Sequence, residues 1–237
     1  MSEATWSTDW LETGVTHMAM RAWRGVEAQH VASTMRLVDT AQEQDVLERL
    51  LEGSKPPLPQ MKAPKHYLLS TPFRYRPQHQ SRFRRAGTLG VWYGAEELYA
   101  ACAEVAYWRH RFILDSVALL HTELLTEHTF FQAEVKGKAV DLMSSPWVEA
   151  RASWTHGSDY AQTHAVADAA KDIGVEWICY ESVRAPGKRC AAVLNVEALE
   201  MLAGTAQQTW HCKATRETVT MVHQTKRYDW AFRALSR

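Results

Sequence analysis

The chain has 237 residues and a mass of 27.0 kDa, with 46% hydrophobic and 23% charged residues, ordinary figures for a globular protein that exclude disorder as the default. Lys+Arg and Asp+Glu number 27 each, so bulk attraction to nucleic acid is excluded, and any affinity for anions must come from a local patch. No apolar run approaches the length of a membrane span, and the acidic start, MSEATWSTDWLETG, has no secretory core, so a cytoplasmic location is expected.

The first region, Met1 to about Gly53, ends in a helix. Thr40-Ala-Gln-Glu43 is a capping box, Val46, Leu47, Leu50 and Leu51 form an apolar stripe, and Gly53 is placed to end the helix in a left-handed conformation. The stripe is too short to fold alone. Pro56-Pro57-Leu58-Pro59 then forbids helix and marks an extended connector. Residues 1–60 are therefore read as a helical arm and connector, and residues 61–237 as the main domain.

The second region opens with a strand-like piece, His66 to Ser70. Gly53 to Ala95 contains no Asp or Glu but carries Lys55, Lys62, Lys65, Arg74, Arg76, Arg82, Arg84 and Arg85. Within it, Phe73-Arg74-Tyr75-Arg76 and Arg82-Phe83-Arg84-Arg85 interleave cations with aromatics, a pattern shared with single-strand nucleic-acid binders. The run is short and no nucleic-acid-binding motif accompanies it, so direct nucleic-acid binding is not expected. Arg74 and Arg82 each neighbour an aromatic that can anchor them, and guanidinium forks suit a pyrophosphate. Arg84 and Arg85 are read as solvent-facing.

A short strand, Leu89 to Tyr93, leads into a helix over Glu96 to Phe112. In that helix Glu104 has no basic partner three or four residues away; Ala100, Ala101, Tyr107 and Trp108 stand there. The spacing predicts a half-buried carboxylate beside an anion-binding segment. A further helical stretch is expected over Ser116 to Leu125.

The third region is largely strand. Val175 to Val183 alternates, Ala185-Pro-Gly-Lys188 turns, and Cys190 to Val196 returns; Trp210 to Thr215 and Thr218 to His223 form a second hairpin. Helices among hairpins give an α+β fold. Cys102, Cys179, Cys190 and Cys212 lack metal or redox spacing and are read as buried thiols. The eleven histidines supply no three-ligand pattern, so no metal site is expected.

Taken singly, Tyr93 is a core aromatic and Ser182 a strand-end serine. Their order and spacing, however, resemble the RES domain family, named for its Arg, Glu and Ser. The resemblance lies in T-P-F-R-Y (Thr71 to Tyr75), S-R-F (Ser81 to Phe83), W-Y-G-A-E-E-L (Trp92 to Leu98), A-x-x-E (Ala101 to Glu104) and Y-E-S-V-R (Tyr180 to Arg184). Gly87 falls at an expected glycine, and Tyr93 precedes Glu104 by the family spacing. W-R-G-V-E-A-Q-H, L-V-D-T and E-Q-x-x-L-E resemble a subgroup with a longer N-terminal arm. Arg84 departs from the family's asparagine, Phe83 from its tryptophan, and one extra residue separates Arg82 from Tyr93.

The resemblance implies an ADP-ribosyltransferase-like fold, with a split, mainly antiparallel sheet around an NAD cleft. It further implies the toxin of a toxin–antitoxin pair, with an Xre-type antitoxin covering the cleft and a possible homo-oligomer. NAD would be a substrate, with no permanently bound cofactor, and inorganic phosphate a possible co-substrate. Cleavage at the nicotinamide–ribose bond, by phosphorolysis or hydrolysis, would use Glu104 against the ribose cation. Arg74 and Arg82 would hold pyrophosphate; Tyr93 would stack on nicotinamide or bond the ribose; Ser182 would fix ribose or carboxamide; Tyr75 would line the substrate site. A protein acceptor for ADP-ribose, and a non-enzymatic nucleic-acid-binding module, are the alternatives.

Overall fold

The computed structural model describes residues 6–28, 34, 37–202, 204 and 207–232. Helix α1 (Thr8–Gly14) starts at Ser7, whose hydroxyl accepts from the Asp9 amide at 3.2 Å, and buries Leu11. Strand β1 (Thr16–Glu27) follows, and every residue of it has a partner in the long strand β3 (Leu124–Asp141), from Thr16 opposite Ala139 to Glu27 opposite His128. The boundary expected at residue 60 therefore cuts across the main sheet. Residues 16–27 belong to the body, because β3 would otherwise expose an unpaired edge.

The remaining strands are β2 (Trp92–Ala95), β4 (Trp177–Glu181), β5 (Arg189–Val193), β6 (Leu199–Met201), β7 (Gln208–Ala214), β8 (Thr218–His223) and β9 (Lys226–Ala231). The order is β1-β2-β5-β4-β3-β7-β8-β9, with β6 beside β3. Among the described residues, only the β3–β4 pairing is parallel. The sheet is thus mainly antiparallel and the fold α+β, as the sequence indicates. Because β1 pairs with both β2 and β3, hydrogen bonds join all nine strands, and β1, β2, β5, β4 and β3 form a closed ring that bridges the expected split.

Alternation along these strands sends side chains to two cores. Met20, Ala22, Trp92, Phe131, Val135, Trp177, Cys179 and Val193 pack into one, together with Leu69 and Phe73. Phe130, Val140, Ile178, Tyr180, Cys190, Ala192 and Trp210 face the other, against helices α4 (Leu98–Leu114) and α6 (Ala161–Asp172). Small residues Ala100, Ala101, Ala103 and Ala106 let α4 lie close on this face. All four cysteines are free and buried.

Helix α2 (Ala41–Ser54) has the expected capping box: the Glu43 amide donates to Thr40 Oγ1 at 3.2 Å, and the Thr40 amide donates to Glu43 Oε2 at 3.1 Å. None of its residues is buried, however, and Val46, Leu50 and Leu51 are exposed. Gly53 lies inside the helix, which ends at Lys55 in extended backbone.

Other local expectations shift. His66 to Ser70 contains a helical turn, α3 (Tyr67–Ser70), rather than a strand: the His66 imidazole caps the Leu68 amide at 3.3 Å. The strand before α4 starts at Trp92, since Val91 and the residues before it run in a loop. Ser116 to Leu125 holds only a 3₁₀ turn, Val117–Leu119, before β3 begins at Leu124. Strand β4 is buried on both faces, as its position inside the ring requires.

Candidate functional site

The site is assembled on the α4 face of the sheet from three segments that are distant in sequence. The first is the loop 81–85. Ser81 and Arg84 exchange backbone hydrogen bonds at 2.9 and 3.0 Å, closing a tight turn. Tyr93, on β2, pins this turn: its hydroxyl shares a hydrogen bond with Ser81 Oγ at 2.9 Å and accepts from the Phe83 amide at 3.0 Å. Helix α6 (with Tyr160 just before it) grips the other side, as His164 Nε2 donates to the Ser81 carbonyl at 2.8 Å and Thr163 Oγ1 to that of Arg82. Phe83 is fully buried and meets Tyr180 edge-on at 4.9 Å. Gly87 ends the loop at φ +71°, a backbone conformation that glycine alone adopts without strain.

These anchors direct Arg82 outward. Its NH1 donates to the carbonyls of Trp154 at 2.7 Å and His156 at 2.9 Å, and its guanidinium lies 5.1 Å from the Tyr160 ring centre. Helix α5 (Arg151–Thr155) and the turn after it supply those carbonyls. Arg84 is not solvent-facing: it is 7% exposed, and its guanidinium donates to the carbonyls of Pro77, Arg85 and His79. A cation in the loop interior stabilises the fold of the loop because it satisfies inward-pointing carbonyls. Arg85 is exposed and pairs with Asp168 at 2.8 Å.

The second segment is α4, which presents Glu104, half-buried. The third follows β4. Ser182, 1% exposed, donates its hydroxyl proton to Glu104 Oε1 at 2.7 Å. The same Ser182 oxygen accepts from the amides of Arg184 at 3.2 Å and Ala185 at 3.0 Å. Two donors thus hold that oxygen, leaving its own proton to Glu104. Arg184 extends back over α4, its guanidinium 3.3 Å from the ring centre of Tyr107, three residues after Glu104.

Burial raises the Glu104 carboxyl above its ordinary value, and it outweighs the opposing effects of the Ser182 hydrogen bond and of Arg184 and Arg82. Burial likewise raises the Tyr93 phenol. Glu104 lacks a partner along its own helix, as its neighbours in sequence indicate. Its partners come from 78 residues downstream at Ser182, and from Arg184 and Arg82.

The structure therefore brings together Arg82, Tyr93, Glu104 and Ser182. Arg74 and Tyr75 lie apart from this group. Arg74 pairs with Glu52 of α2 at 2.7 Å and donates to the Pro56 carbonyl, while its neighbour Phe73 enters the opposite core. The Tyr75 carbonyl accepts from the Gly90 amide at 2.9 Å, and a side chain at Gly90 would collide with the Pro72 carbonyl. Arg184, Tyr107 and Tyr160 join the group without having been singled out from sequence. Arg184 carries a signal there, two residues after the serine, and Tyr107 another, three residues after Glu104. Among the described residues, no three His, Cys, Asp or Glu side chains cluster to hold a metal, and no helix is long and apolar enough to cross a membrane.

Chemically, the group offers one desolvated carboxylate, a hydroxyl fixed against it, and two guanidinium groups on aromatic faces. That combination suits a substrate carrying both negative charge and a developing cation.

A structure of the Mycobacterium tuberculosis MbcT–MbcA toxin–antitoxin complex contains a chain with a similar fold. The TM-score is 0.50 at 12% identity, over 88% of this chain and 92% of that one. A comparison with curated proteins finds no match. The family model of the RES domain matches residues 57–215, more than half of the sequence, and spans the loop 81–85, Glu104 and Ser182. The chain belongs to the RES domain family.

Proposed function

We propose that this protein is the toxin of a toxin–antitoxin pair and that it cleaves NAD between nicotinamide and ribose. The observation that carries the reading is the Ser182–Glu104 hydrogen bond at 2.7 Å, with the charges of Arg184 and Arg82 favouring the ionised carboxylate. Family membership and the likeness to a fold crystallised in a toxin–antitoxin complex support it.

In the reaction, the bond from ribose C1′ to the nicotinamide nitrogen breaks, and its electron pair neutralises the pyridinium. The ribose becomes oxocarbenium-like. Ionised Glu104 stabilises that cation and orients a ribose hydroxyl, an effect strengthened by partial desolvation. An oxygen of water or inorganic phosphate then bonds to C1′; with water, the proton released passes to solvent. Ser182 holds Glu104 in place until substrate hydroxyls compete for the carboxylate. Arg82 binds the pyrophosphate. Tyr93 acts as a positioning residue through the 81–85 loop, since its hydroxyl is already engaged there. The protein works in the cytoplasm, with no permanently bound cofactor, and an Xre-type antitoxin restrains it by covering the site.

The test is to incubate the purified protein with NAD, with and without phosphate, and identify products by mass. Nicotinamide with ADP-ribose, or with its 1″-phosphate, is expected. Glu104→Gln should slow single-turnover cleavage by roughly 10²–10⁴-fold while remaining folded. Wild-type cleavage by that variant rules the assignment out. ADP-ribose retained on a protein band would point to a protein acceptor instead.

A further inference from the structure

Arg184 differs from the other arginines of this region in how its two ends are held. Its root is rigid. The Arg184 amide donates to Ser182 Oγ, and the turn that carries it is clamped by Glu181, which accepts from the Gly187 amide at 2.7 Å and from Arg151 at 2.6 and 2.7 Å. Its head is not. The guanidinium rests on the Tyr107 ring and reaches the Gly157 carbonyl only at 3.5 Å, and it forms no ion pair among the described residues. By contrast Arg74, Arg85, Arg109, Arg151, Arg189 and Arg227 all meet carboxylates.

Arg82 shares the same support. It donates to the carbonyls of Trp154 and His156, so the segment from Trp154 to Gly157 holds both arginines, and each lies over a tyrosine ring. The Arg184 contact, at 3.5 Å, is weak, and the carbonyls that hold Arg82 are neutral acceptors, which bind a guanidinium fork less strongly than phosphate oxygens do. Aromatic faces keep both planes oriented.

We propose that Arg184 is the second jaw of a two-arginine clamp, with Arg82 the first, that binds a phosphate-type anion beside Glu104. The anion is either the pyrophosphate of the dinucleotide or free inorganic phosphate, and the two sources share one chemistry. The inference deepens the proposed NAD cleavage and rests on it for the identity of the substrate. Anion binding itself requires no turnover.

The experiment is calorimetric titration of the full chain with inorganic pyrophosphate and, separately, with inorganic phosphate. Arg184→Ala is expected to weaken binding of at least one anion by about tenfold or more. Arg184→Lys, which keeps the charge and loses the fork, should recover only part of it. Arg111→Ala removes a surface charge whose partner is Asp115 and should bind as wild type does. Steady-state kinetics separate the sources. A raised KM for NAD in phosphate-free buffer assigns the clamp to the dinucleotide, whereas a raised KM for phosphate alone assigns it to the acceptor. Unchanged titrations for both Arg184 variants overturn the clamp. If the wild type binds these anions through Arg184 but does not cleave NAD, the clamp stands and the proposed reaction falls.

Discussion

The arginine-rich segment has two halves that look alike in sequence and end in different places. In Phe73-Arg74-Tyr75-Arg76, the aromatic enters the core inside the strand ring and Arg74 is neutralised by Glu52 and by a backbone carbonyl. In Arg82-Phe83-Arg84-Arg85, the aromatic enters the opposite core, against Tyr180, and Arg82 is held by backbone carbonyls and forms no ion pair among the described residues. Both place arginines beside a phenylalanine. The difference arises from which face of the sheet receives the anchoring phenylalanine, because that choice decides which acidic residues are within reach. An arginine can serve an anionic ligand only where the fold has withheld a carboxylate from it.

The largest expected effect breaks this comparison directly. Arg82→Ala should lower kcat/KM for NAD by about 10²-fold or more, while Arg74→Ala should leave it within about twofold, because a charge-assisted contact to substrate is lost in one variant only. Steady-state kinetics on both folded variants checks it, and a large loss for Arg74→Ala would erase the distinction between the halves. Next comes Tyr93→Phe. It leaves the buried Phe83 amide without its acceptor and releases Ser81, so a destabilisation of about 1–3 kcal/mol in urea melts is expected. NAD cleavage should fall with it, as Arg82 loses its mount. A change below about 0.5 kcal/mol would show that Tyr93 does not hold the loop.

The pH profile sharpens the same contrast from the acid side. Catalysis by ionised Glu104 should fail as pH drops through a pKa above the ordinary glutamate value, since burial raises it. The Ser182 hydrogen bond favours the ionised form, so Ser182→Ala should move that acid limb to still higher pH. The sign for stability follows by linkage: with the folded-state pKa raised, stability is greatest below the unfolded value and declines as pH rises through the folded one. Glu104→Gln should abolish that decline and gain roughly 0.5–2 kcal/mol near neutrality, the usual trade between an active-site charge and stability. Thermal melts against pH read both. The smallest effect belongs to Arg85, whose exposed pair with Asp168 should contribute under about 1 kcal/mol, so Arg85→Ala should leave melting and turnover close to wild type.

Much of this fold is legible in the sequence. The helix around Glu104, the turn at Ala185 to Lys188, the hairpin of β7 and β8 and the Thr40 capping box are local patterns, and local patterns survive into the fold. The two longest strands are not. Strand β3 carries Glu127, Glu134, Lys136 and Lys138 among its apolar positions, and its burial is set by β1, which pairs with it from the far end of the sequence. Within the site, the Arg82, Tyr93, Glu104 and Ser182 group was reached through spacing that resembles a family. The burial of Arg84 and the place of Arg184 were not reached, because each depends on which carbonyls a folded loop turns inward. The pairing of Arg74 escapes sequence reading because Glu52, its partner, is twenty-two residues away on a helix with no buried residue.

The ring of strands also sets an order of assembly. Strand β1 leaves the ribosome early but waits for β3, more than a hundred residues later at Ala139, and β2 waits for β5 at Arg189 to Val193. Ser182 arrives in the same late stretch. Long-range pairings of this kind slow folding, typically to milliseconds or seconds. A chain ending before Ser182 accordingly holds Glu104 without its hydrogen-bond partner, and so lacks a group on which the proposed activity rests.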